Sequence, residues 1–335
     1  MDQVLLSFIV PVYNTEVYVH QCLQSIVEQG LGAEEYEVLV VDDGSTDSSR
    51  RVIEAFASEH PQVRLLTQAN AGVSAARNLA LDHARGRFVM FVDSDDHLVS
   101  NVMPRLLRRA LDENLEVLSF NYCCKDVEGG MLPHTRDDNY ATTAVMTGYD
   151  FLMTHSMTPY VWRFLISRDY LEQGHWRFDA SLIVCEDGAL IARFLLNASR
   201  VAHDNQEVYC YVKRAGSAMH NPDREHLHRR IYSQVDSAAL IDATARQYEL
   251  STGRKAPASV DGVRNVYLYF SMTKALTCGM VDEIIERIGK AGLFPFPCVG
   301  PEADYRGMKW KIIHLPMMCP PLWRALSKVY RMIKK

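Results

Sequence analysis

Two aspartates separated by one residue, Asp93 and Asp95, have the spacing in this chain that most directly suggests chemistry. Residues i and i+2 of an extended segment point to the same side, so the two carboxylates could share one divalent cation. Close carboxylates also repel each other unless a cation neutralises them. Mg²⁺ and Mn²⁺ prefer oxygen ligands and bind diphosphate oxygens as well. Asp93-Ser94-Asp95 therefore predicts a divalent metal site.

Two further polar clusters follow apolar runs in the first half of the chain, at residues 11–14 and 42–47. Each cluster alone is more typical of an ordinary turn, because Asp, Asn, Gly and Ser favour turns for local reasons. Together with residues 93–96, however, they end three predicted parallel strands. Ligands bind beyond the carboxyl ends of such strands, so the three clusters are expected to share one edge of a sheet.

Alternating strand and helix patterns must position these clusters. Strands are predicted at 4–12, 38–41, 63–66, 88–92 and 117–122, with helices at 17–28, 46–56, 73–84 and 102–111. These units predict an α/β fold with a mostly parallel, doubly wound, twisted sheet flanked by helices. Beyond residue 125 the pattern loosens. It predicts short helices at 151–166 and 187–196, a strand at 201–212, and amphipathic helices at 224–248, 263–278 and 281–288.

Four segments resemble motifs of the family 2 glycosyltransferases: Phe8–Asn14, Val40–Asp47, Asn70–Asn78 and Phe91–Asp96. They have the family's order and spacing over residues 4–125, and a weaker likeness continues to residue 215. The resemblance implies the GT-A (Rossmann-like) fold, inverting transfer from a nucleotide-diphosphate sugar, and a Mn²⁺ or Mg²⁺ cofactor. By analogy with the family, the acceptor is expected to be a glycan or lipid-linked glycan of bacterial surface-polysaccharide synthesis.

The resemblance also implies a nucleotide site at the matching positions. Pro11 and Tyr13 would pack around the nucleobase, and Asp43 would accept a hydrogen bond from it. Uracil is the usual base, so a UDP-sugar is the expected donor. Arg77 would help to hold the nucleotide and its diphosphate.

Acidic residues would bind the metal and accept the proton. The resemblance implies that Asp95 is the main metal ligand and that Asp93 lies near the ribose and the metal. Inversion by single displacement needs a base for the acceptor hydroxyl, and Glu186-Asp187 is the best candidate. An isolated acid pair at a helix start more often serves the helix dipole. Because residues 209–217 resemble the family's surroundings of its Glu-Asp motif, Asp187 is assigned as the base. Glu186 would contact the acceptor or orient its neighbour.

Trp162 is a candidate acceptor-binding residue, in a segment where many family members carry Trp-Asn-Lys-Leu. Its ring could stack on a sugar, but a buried aromatic fits the sequence equally well. Arg163 and Phe164 replace the usual Asn-Lys, so the segment does not specify the acceptor.

The net charge of −5 conceals an asymmetry between the body of the chain and its C-terminal tail. Eight basic and no acidic residues lie from Arg306 onward, against 28 basic and 41 acidic residues before it. An acidic body disfavours nucleic-acid binding. The basic amphipathic tail fits either an anionic membrane surface or a helix docked on the protein, and the sequence leaves both open.

The expected organisation is a catalytic domain at 1–215, with a nucleotide-sugar half at 1–125 and an acceptor half at 126–215. A helical extension at 216–300 and the basic tail at 301–335 would follow. Scattered cysteines, no long apolar run and no leader-like start predict a cytoplasmic protein, with peripheral attachment to the inner face of the membrane through the tail.

Two other protein classes deserve comparison with a glycosyltransferase. A non-catalytic nucleotide-sugar binding protein would need no base, whereas Asp95 and Asp187 are both present. A sugar-phosphate nucleotidyltransferase would need a glycine-rich basic loop near the N-terminus, and Val10–Asn14 contains neither glycine nor a basic residue.

Overall fold

The computed structural model describes residues 4–133, 139–214, 224–295 and 320–333. The chain divides into two compact units. Unit 1 comprises Met1–Phe151, Tyr160–Ala180 and Asn197–His220, and unit 2 comprises Leu152–Pro159, Ser181–Leu196 and Asn221–Lys335. This division differs from the boundary expected at residue 215, because residues 181–196 cluster with the C-terminal helices. Residues 301–319 and 334–335 of the predicted tail lie outside the described residues.

A mixed sheet forms the centre of unit 1. Its strands are β1 (Leu6–Val12), β2 (Tyr36–Asp42), β3 (Val63–Thr67), β4 (Phe88–Phe91), β5 (His97–Leu98), β6 (Val117–Asp126), β7 (Met131–Leu132), β8 (Phe164–Ser167) and β9 (Val201–Lys213). In the described residues their order is β3-β2-β1-β4-β8-β6-β9-β5, with β7 beside β6. The pairs β1–β2, β1–β4, β2–β3 and β6–β9 are parallel. The pairs β4–β8, β6–β8, β5–β9 and β6–β7 are antiparallel. The predicted α/β fold is thus confirmed, with a sheet that is parallel at β1–β4 and mixed beyond it.

Helices cover the sheet, and every residue of β1 and β2 is buried. Continuous burial explains why these strands read as unbroken apolar runs rather than alternating ones. The helices of unit 1 are α1 (Val19–Val27), α2 (Ser49–Glu59), α3 (Val73–His83), α4 (Met103–Asp112), α5 (Gly148–Thr154, which runs into unit 2) and α6 (Arg168–Gln173). In α4 the buried residues Met103, Leu106, Leu107 and Ala110 recur at helical spacing and form its inner face.

The helix expected at 151–166 is wrong over its second half. Val161–Arg163 form a short 3₁₀ turn, and Phe164–Ser167 form β8, which lies antiparallel between β4 and β6. Phe164, Leu165 and Ile166 are all buried. A continuous apolar run has no period that separates a buried strand from a buried helix, which is why the sequence pattern failed here.

Unit 2 is helical. Its helices are α7 (Glu186–Asn197, of which residues 186–196 belong to this unit), α8 (Arg224–Thr252), α9 (Ala258–Cys278), α10 (Val281–Lys290) and α11 (Pro320–Ile333). Helix α9 packs against α8, α10 and α11. The described residues include no helix that is both long and apolar enough to cross a bilayer.

Candidate active site

The loops after β1 and β2 are tied together by side-chain hydrogen bonds. Asn14 has a φ of +52°, and its Oδ1 accepts from the Thr46 backbone N–H at 2.8 Å. The Asn14 N–H in turn donates to Ser45 Oγ at 3.1 Å. Within this frame Tyr13 is 48% exposed, so its ring is open to a ligand, whereas Pro11 is buried in β1. The predicted nucleobase contact can therefore be made by Tyr13 more readily than by Pro11.

Asp43 holds the loop that leads into α3. Its buried carboxylate accepts from Gln68 Nε2 at 2.7 Å and from the backbone N–H groups of Ala71 at 2.8 Å and Gly72 at 2.9 Å. A carboxylate offers about four acceptor positions, so three of them are filled by the protein itself. The predicted bond to the nucleobase would have to use the remaining one.

Arg77 lies in α3 and reaches the acidic turn after β4. Its buried guanidinium donates from Nη2 to Asp93 Oδ1 at 2.8 Å and lies over the Phe178 ring at 5.1 Å. Charge-assisted bonds of this kind are stronger than neutral ones. The sequence-predicted residues Arg77 and Asp93 are thus brought into direct contact.

Residues 93–96 form a turn rather than the extended segment expected from the sequence. The Asp96 N–H donates to the Asp93 carbonyl at 3.0 Å, and Ser94 Oγ accepts from Thr15 Oγ1 at 3.0 Å. Asp and Ser favour such turns because their side chains bond locally. Asp93 and Asp95 therefore lie in one turn, and the alternation of side chains along an extended strand does not apply to them.

Tyr209 of β9 anchors this turn from beneath and was not singled out from the sequence. Its fully buried hydroxyl accepts from the Asp93 N–H at 3.0 Å and donates to Asp96 Oδ2 at 2.8 Å. The Val212 N–H donates to Asp96 Oδ1 at 2.7 Å. Burial, together with the charges of Asp95 and Asp93, raises the pKa of Asp96 well above its ordinary value. The last aspartate of the turn therefore has a structural role.

Asp95 pairs with a second arginine. Arg214 donates from Nε to Asp95 Oδ2 at 2.6 Å, and its guanidinium lies over the Tyr18 ring at 4.9 Å. Burial and the Asp93 charge raise the pKa of Asp95, and Arg214 opposes that shift. Carboxylate repulsion alone therefore does not demand a metal, because Arg77 and Arg214 already supply positive charge. Repulsion between Asp93 and Asp95, the electrostatic reason for expecting a metal, is thus offset by the two arginines.

The acidic turn still suits a divalent ion in its chemistry. Asp93 engages Arg77 through Oδ1 and Asp95 engages Arg214 through Oδ2, so each arginine bond uses one oxygen of its carboxylate. No group of three or more His, Cys, Asp or Glu side chains placed to hold a metal occurs in the described part of the chain. Two carboxylates plus substrate phosphates are, however, a usual ligand set for Mg²⁺.

The Glu186-Asp187 pair lies in unit 2, at the first turn of α7. Glu186 is buried and Asp187 is partly exposed. The preceding residue, Cys185, has a φ of +63°, a left-handed conformation that turns the chain into the helix. Acidic side chains at a helix N-terminus are favoured by the helix dipole. The pair thus directly follows a left-handed residue, and Asp187 is partly exposed.

Of the two roles considered for Trp162, stacking on a sugar and packing in the interior, the structure shows packing in the interior. It is 3% exposed, and its ring stacks on Tyr209 at 4.2 Å and on Tyr160 at 5.1 Å. No sugar can reach a ring so enclosed without a rearrangement of these tyrosines. The acceptor contact considered for Trp162 is therefore replaced by a packing role behind the acidic turn.

A mixed sheet of this order, flanked by helices and with an acidic turn after β4, is an α/β arrangement of the GT-A type. The crystal structure of Staphylococcus aureus TarS 1–349 in complex with UDP-GlcNAc has this fold, with a TM-score of 0.68 and 22% identity over 98% of this chain and 92% of that one. The family model for glycosyl transferase family 2 matches residues 7–196. The chain belongs to this family.

Two bacterial glycosyltransferases with similar sequences support the same family assignment. The Escherichia coli uncharacterized glycosyltransferase YibD is 33% identical over 67% of this chain and 64% of its own length. The Bacillus subtilis uncharacterized glycosyltransferase EpsJ is 29% identical over 69% of each chain. The chain thus aligns with less than two thirds of the YibD sequence.

Proposed function

We propose that this protein moves a sugar from a UDP-sugar to an acceptor hydroxyl with inversion at the anomeric carbon. The observation that carries the proposal is the Asp93–Asp96 turn at the end of β4, flanked by the guanidinium groups of Arg77 and Arg214. A nucleoside diphosphate brings negative charge to a site where two carboxylates and two arginines meet. The match to family 2 over residues 7–196 supports the same chemistry, and a neighbour of the same fold was crystallised with UDP-GlcNAc.

In this proposal Asp95 and Asp93 would hold Mn²⁺ or Mg²⁺ when the donor binds. The bound ion would neutralise the charge that develops on the departing diphosphate. Arg77 fixes the Asp93 carboxylate through the bond between Nη2 and Oδ1. Tyr13 would lie against the nucleobase, since its ring is exposed beside the β1 loop.

Asp187 would act as the base. It takes the proton from the acceptor hydroxyl as the oxygen forms its bond to the anomeric carbon and the bond to the diphosphate breaks. Glu186 is buried beside it and would orient Asp187 or contact the acceptor. A non-catalytic nucleotide-sugar binder, the alternative protein class, would have no use for the accessible carboxylate of Asp187.

Replacing Asp187 with alanine tests this assignment. Turnover of the UDP-sugar should fall by about 10²- to 10⁴-fold, the usual contribution of a general base. UDP affinity should stay close to wild type. Glu225→Ala is the control, because Glu225 is also a first-turn acid of a helix in unit 2, and it should keep wild-type turnover. If Asp187→Ala retained wild-type turnover, Asp187 would not be the base.

The acceptor and its location also form part of the proposal. We infer a glycan or lipid-linked glycan of bacterial surface-polysaccharide synthesis, reached from the cytoplasmic face of the membrane. Helix α11 packs on α9 and α10 of the same unit. Its Trp323 is buried and its Arg324 pairs with Asp282 at 2.7 Å, so this part of the tail is a docked helix. Leu326 and Val329 remain exposed beside Lys328.

That exposed stripe and the basic residues of the tail suit an anionic bilayer. The test is cosedimentation with vesicles of phosphatidylglycerol, with phosphatidylcholine vesicles as the control. Leu326→Glu should weaken binding to the anionic vesicles. Equal sedimentation of the protein with and without vesicles would remove the membrane from the proposal.

A further inference from the structure

A buried serine of α8 holds the chain just before the Glu186-Asp187 pair. Ser233 Oγ accepts from the backbone N–H of Ile183 at 3.0 Å and of Val184 at 3.2 Å, and it donates to the Val184 carbonyl at 2.8 Å. A serine hydroxyl has one donor and two acceptor positions. Ser233 therefore uses its whole hydrogen-bonding capacity on the backbone of this segment.

A second serine, one helical turn further along α8, holds the next residue. Ser237 Oγ donates to the Cys185 carbonyl at 2.7 Å. Residues four apart lie on one face of a helix, so Ser233 and Ser237 act side by side, and both are buried. Cys185 has the φ of +63° that non-glycine residues seldom adopt. The two serines thus hold a strained turn in place.

Tyr267 of α9 lies against the first turn of α7. A Cβ added at Gly188 would lie 2.5 Å from Tyr267 Oη, so a larger residue there would force the tyrosine side chain to shift. The Cys185 thiol is also hydrogen-bonded to Tyr267. The segment that presents Asp187 is therefore fixed by α8 and α9, both in the helical unit.

We propose that Ser233 and Ser237 are positioning residues that set the direction in which Asp187 points. The inference rests on the proposed function, in which Asp187 is the base. A base works only within hydrogen-bond reach of the proton that it takes, and a displacement of about 1 Å can lower a rate by about 100-fold. In this inference the placement of Asp187 depends on side chains of the same helical unit.

The test compares Ser233→Ala and Ser237→Ala with a matched control, Ser271→Ala. Ser271 is a buried serine of α9 whose hydroxyl bonds to the Leu268 carbonyl of its own helix. Three properties are measured: UDP release from UDP-GlcNAc with Mn²⁺ and water as acceptor, UDP affinity by calorimetry, and hydrogen exchange of the amides at 183–187.

We expect kcat to fall by about 10- to 100-fold in both α8 variants, with KM for UDP-GlcNAc and UDP affinity within about twofold of wild type. The Ile183 and Val184 amides should exchange faster in Ser233→Ala, because they lose their acceptor. Ser271→Ala should match wild type in all three measurements. A substitution that only loosened the packing would lower the stability of the protein, but it would not lower kcat while leaving KM unchanged.

The outcomes separate the inference from the proposed function. Wild-type protein that neither binds UDP nor releases it from UDP-GlcNAc would contradict the proposed function. Active wild-type protein with unchanged kcat in both folded α8 variants would overturn the positioning role, as would unchanged exchange at Ile183 and Val184 in Ser233→Ala. Should Ser233→Ala fail to fold, Ser237→Ala decides kinetically, because it removes a single hydrogen bond.

Discussion

Replacing Tyr209 with phenylalanine removes one hydroxyl from beneath the acidic turn and leaves the aromatic ring in place. That hydroxyl is the acceptor for the Asp93 N–H and the donor to Asp96 Oδ2. The ring stacks on Trp162 at 4.2 Å, and this contact does not need the hydroxyl. The substitution therefore isolates the hydrogen bonds from the packing.

The expected cost follows from the two bonds lost. A buried backbone N–H left without an acceptor costs about 1–3 kcal/mol, and a typical hydrogen bond contributes about 0.5–1.5 kcal/mol. Asp96 keeps its bond from Val212, so a total of about 2–3 kcal/mol is expected. For a unit of roughly 200 residues this corresponds to a fall in Tm of about 5–10 °C, measured by scanning calorimetry.

Tyr211→Phe provides the control on the same strand. Among the described residues the Tyr211 hydroxyl forms no hydrogen bond, although its ring also stacks on Trp162, at 6.1 Å. This variant should stay within about 0.5 kcal/mol of wild type. If Tyr209→Phe lowered Tm no more than Tyr211→Phe, the hydroxyl would not anchor the acidic turn.

Further predictions concern a buried carboxylate and two glycines. Burial would raise the pKa of Glu37, but hydrogen bonds from Ser7 and Arg85 lower it below its ordinary value. A group with a lower pKa in the folded state stabilises the protein at pH values above its unfolded-state pKa, and this stabilisation is lost as the pH falls. Below about pH 4.5 the stability of the wild-type protein should therefore fall more steeply than that of Glu37→Gln in acid titrations. A Cβ at Gly86 would lie 2.4 Å from the Ser7 backbone N, so Gly86→Ala should cost several kcal/mol, about 3 or more, in guanidinium unfolding. Gly289→Ala in α10 meets nothing within 4 Å and should stabilise by about 0.5–1 kcal/mol; equal effects of the two substitutions would contradict this reasoning.

Much of unit 1 could be predicted from the sequence because its signals are local. Strand periodicity and turn-forming residues at strand ends placed Asp43 and the Asp93–Asp96 segment at the carboxyl ends of β2 and β4. The doubly wound pattern then required these ends to share an edge of the sheet. The motif containing Arg77 added the helix that contacts this edge.

The remaining features depend on residues far apart in the chain. Arg214 meets Asp95 across 119 positions, and Tyr209 meets Asp96 across 113, so no local pattern signals either contact. Ser233 reads as an ordinary residue of an amphipathic helix until its partners at 183–184 are known. The left-handed turn before Glu186 was also hidden, because cysteine rather than glycine occupies position 185.

Binding of a nucleotide-sugar donor is the most direct test of the central claim. The protein would be mixed with UDP-, GDP- and dTDP-sugars, with and without Mn²⁺, and its Tm measured in each case. A UDP-sugar at 100 times its Kd should stabilise the folded state by about 2.7 kcal/mol, and the gain should be larger with Mn²⁺ than without it. An unchanged Tm with every nucleotide-sugar in both conditions would contradict the account.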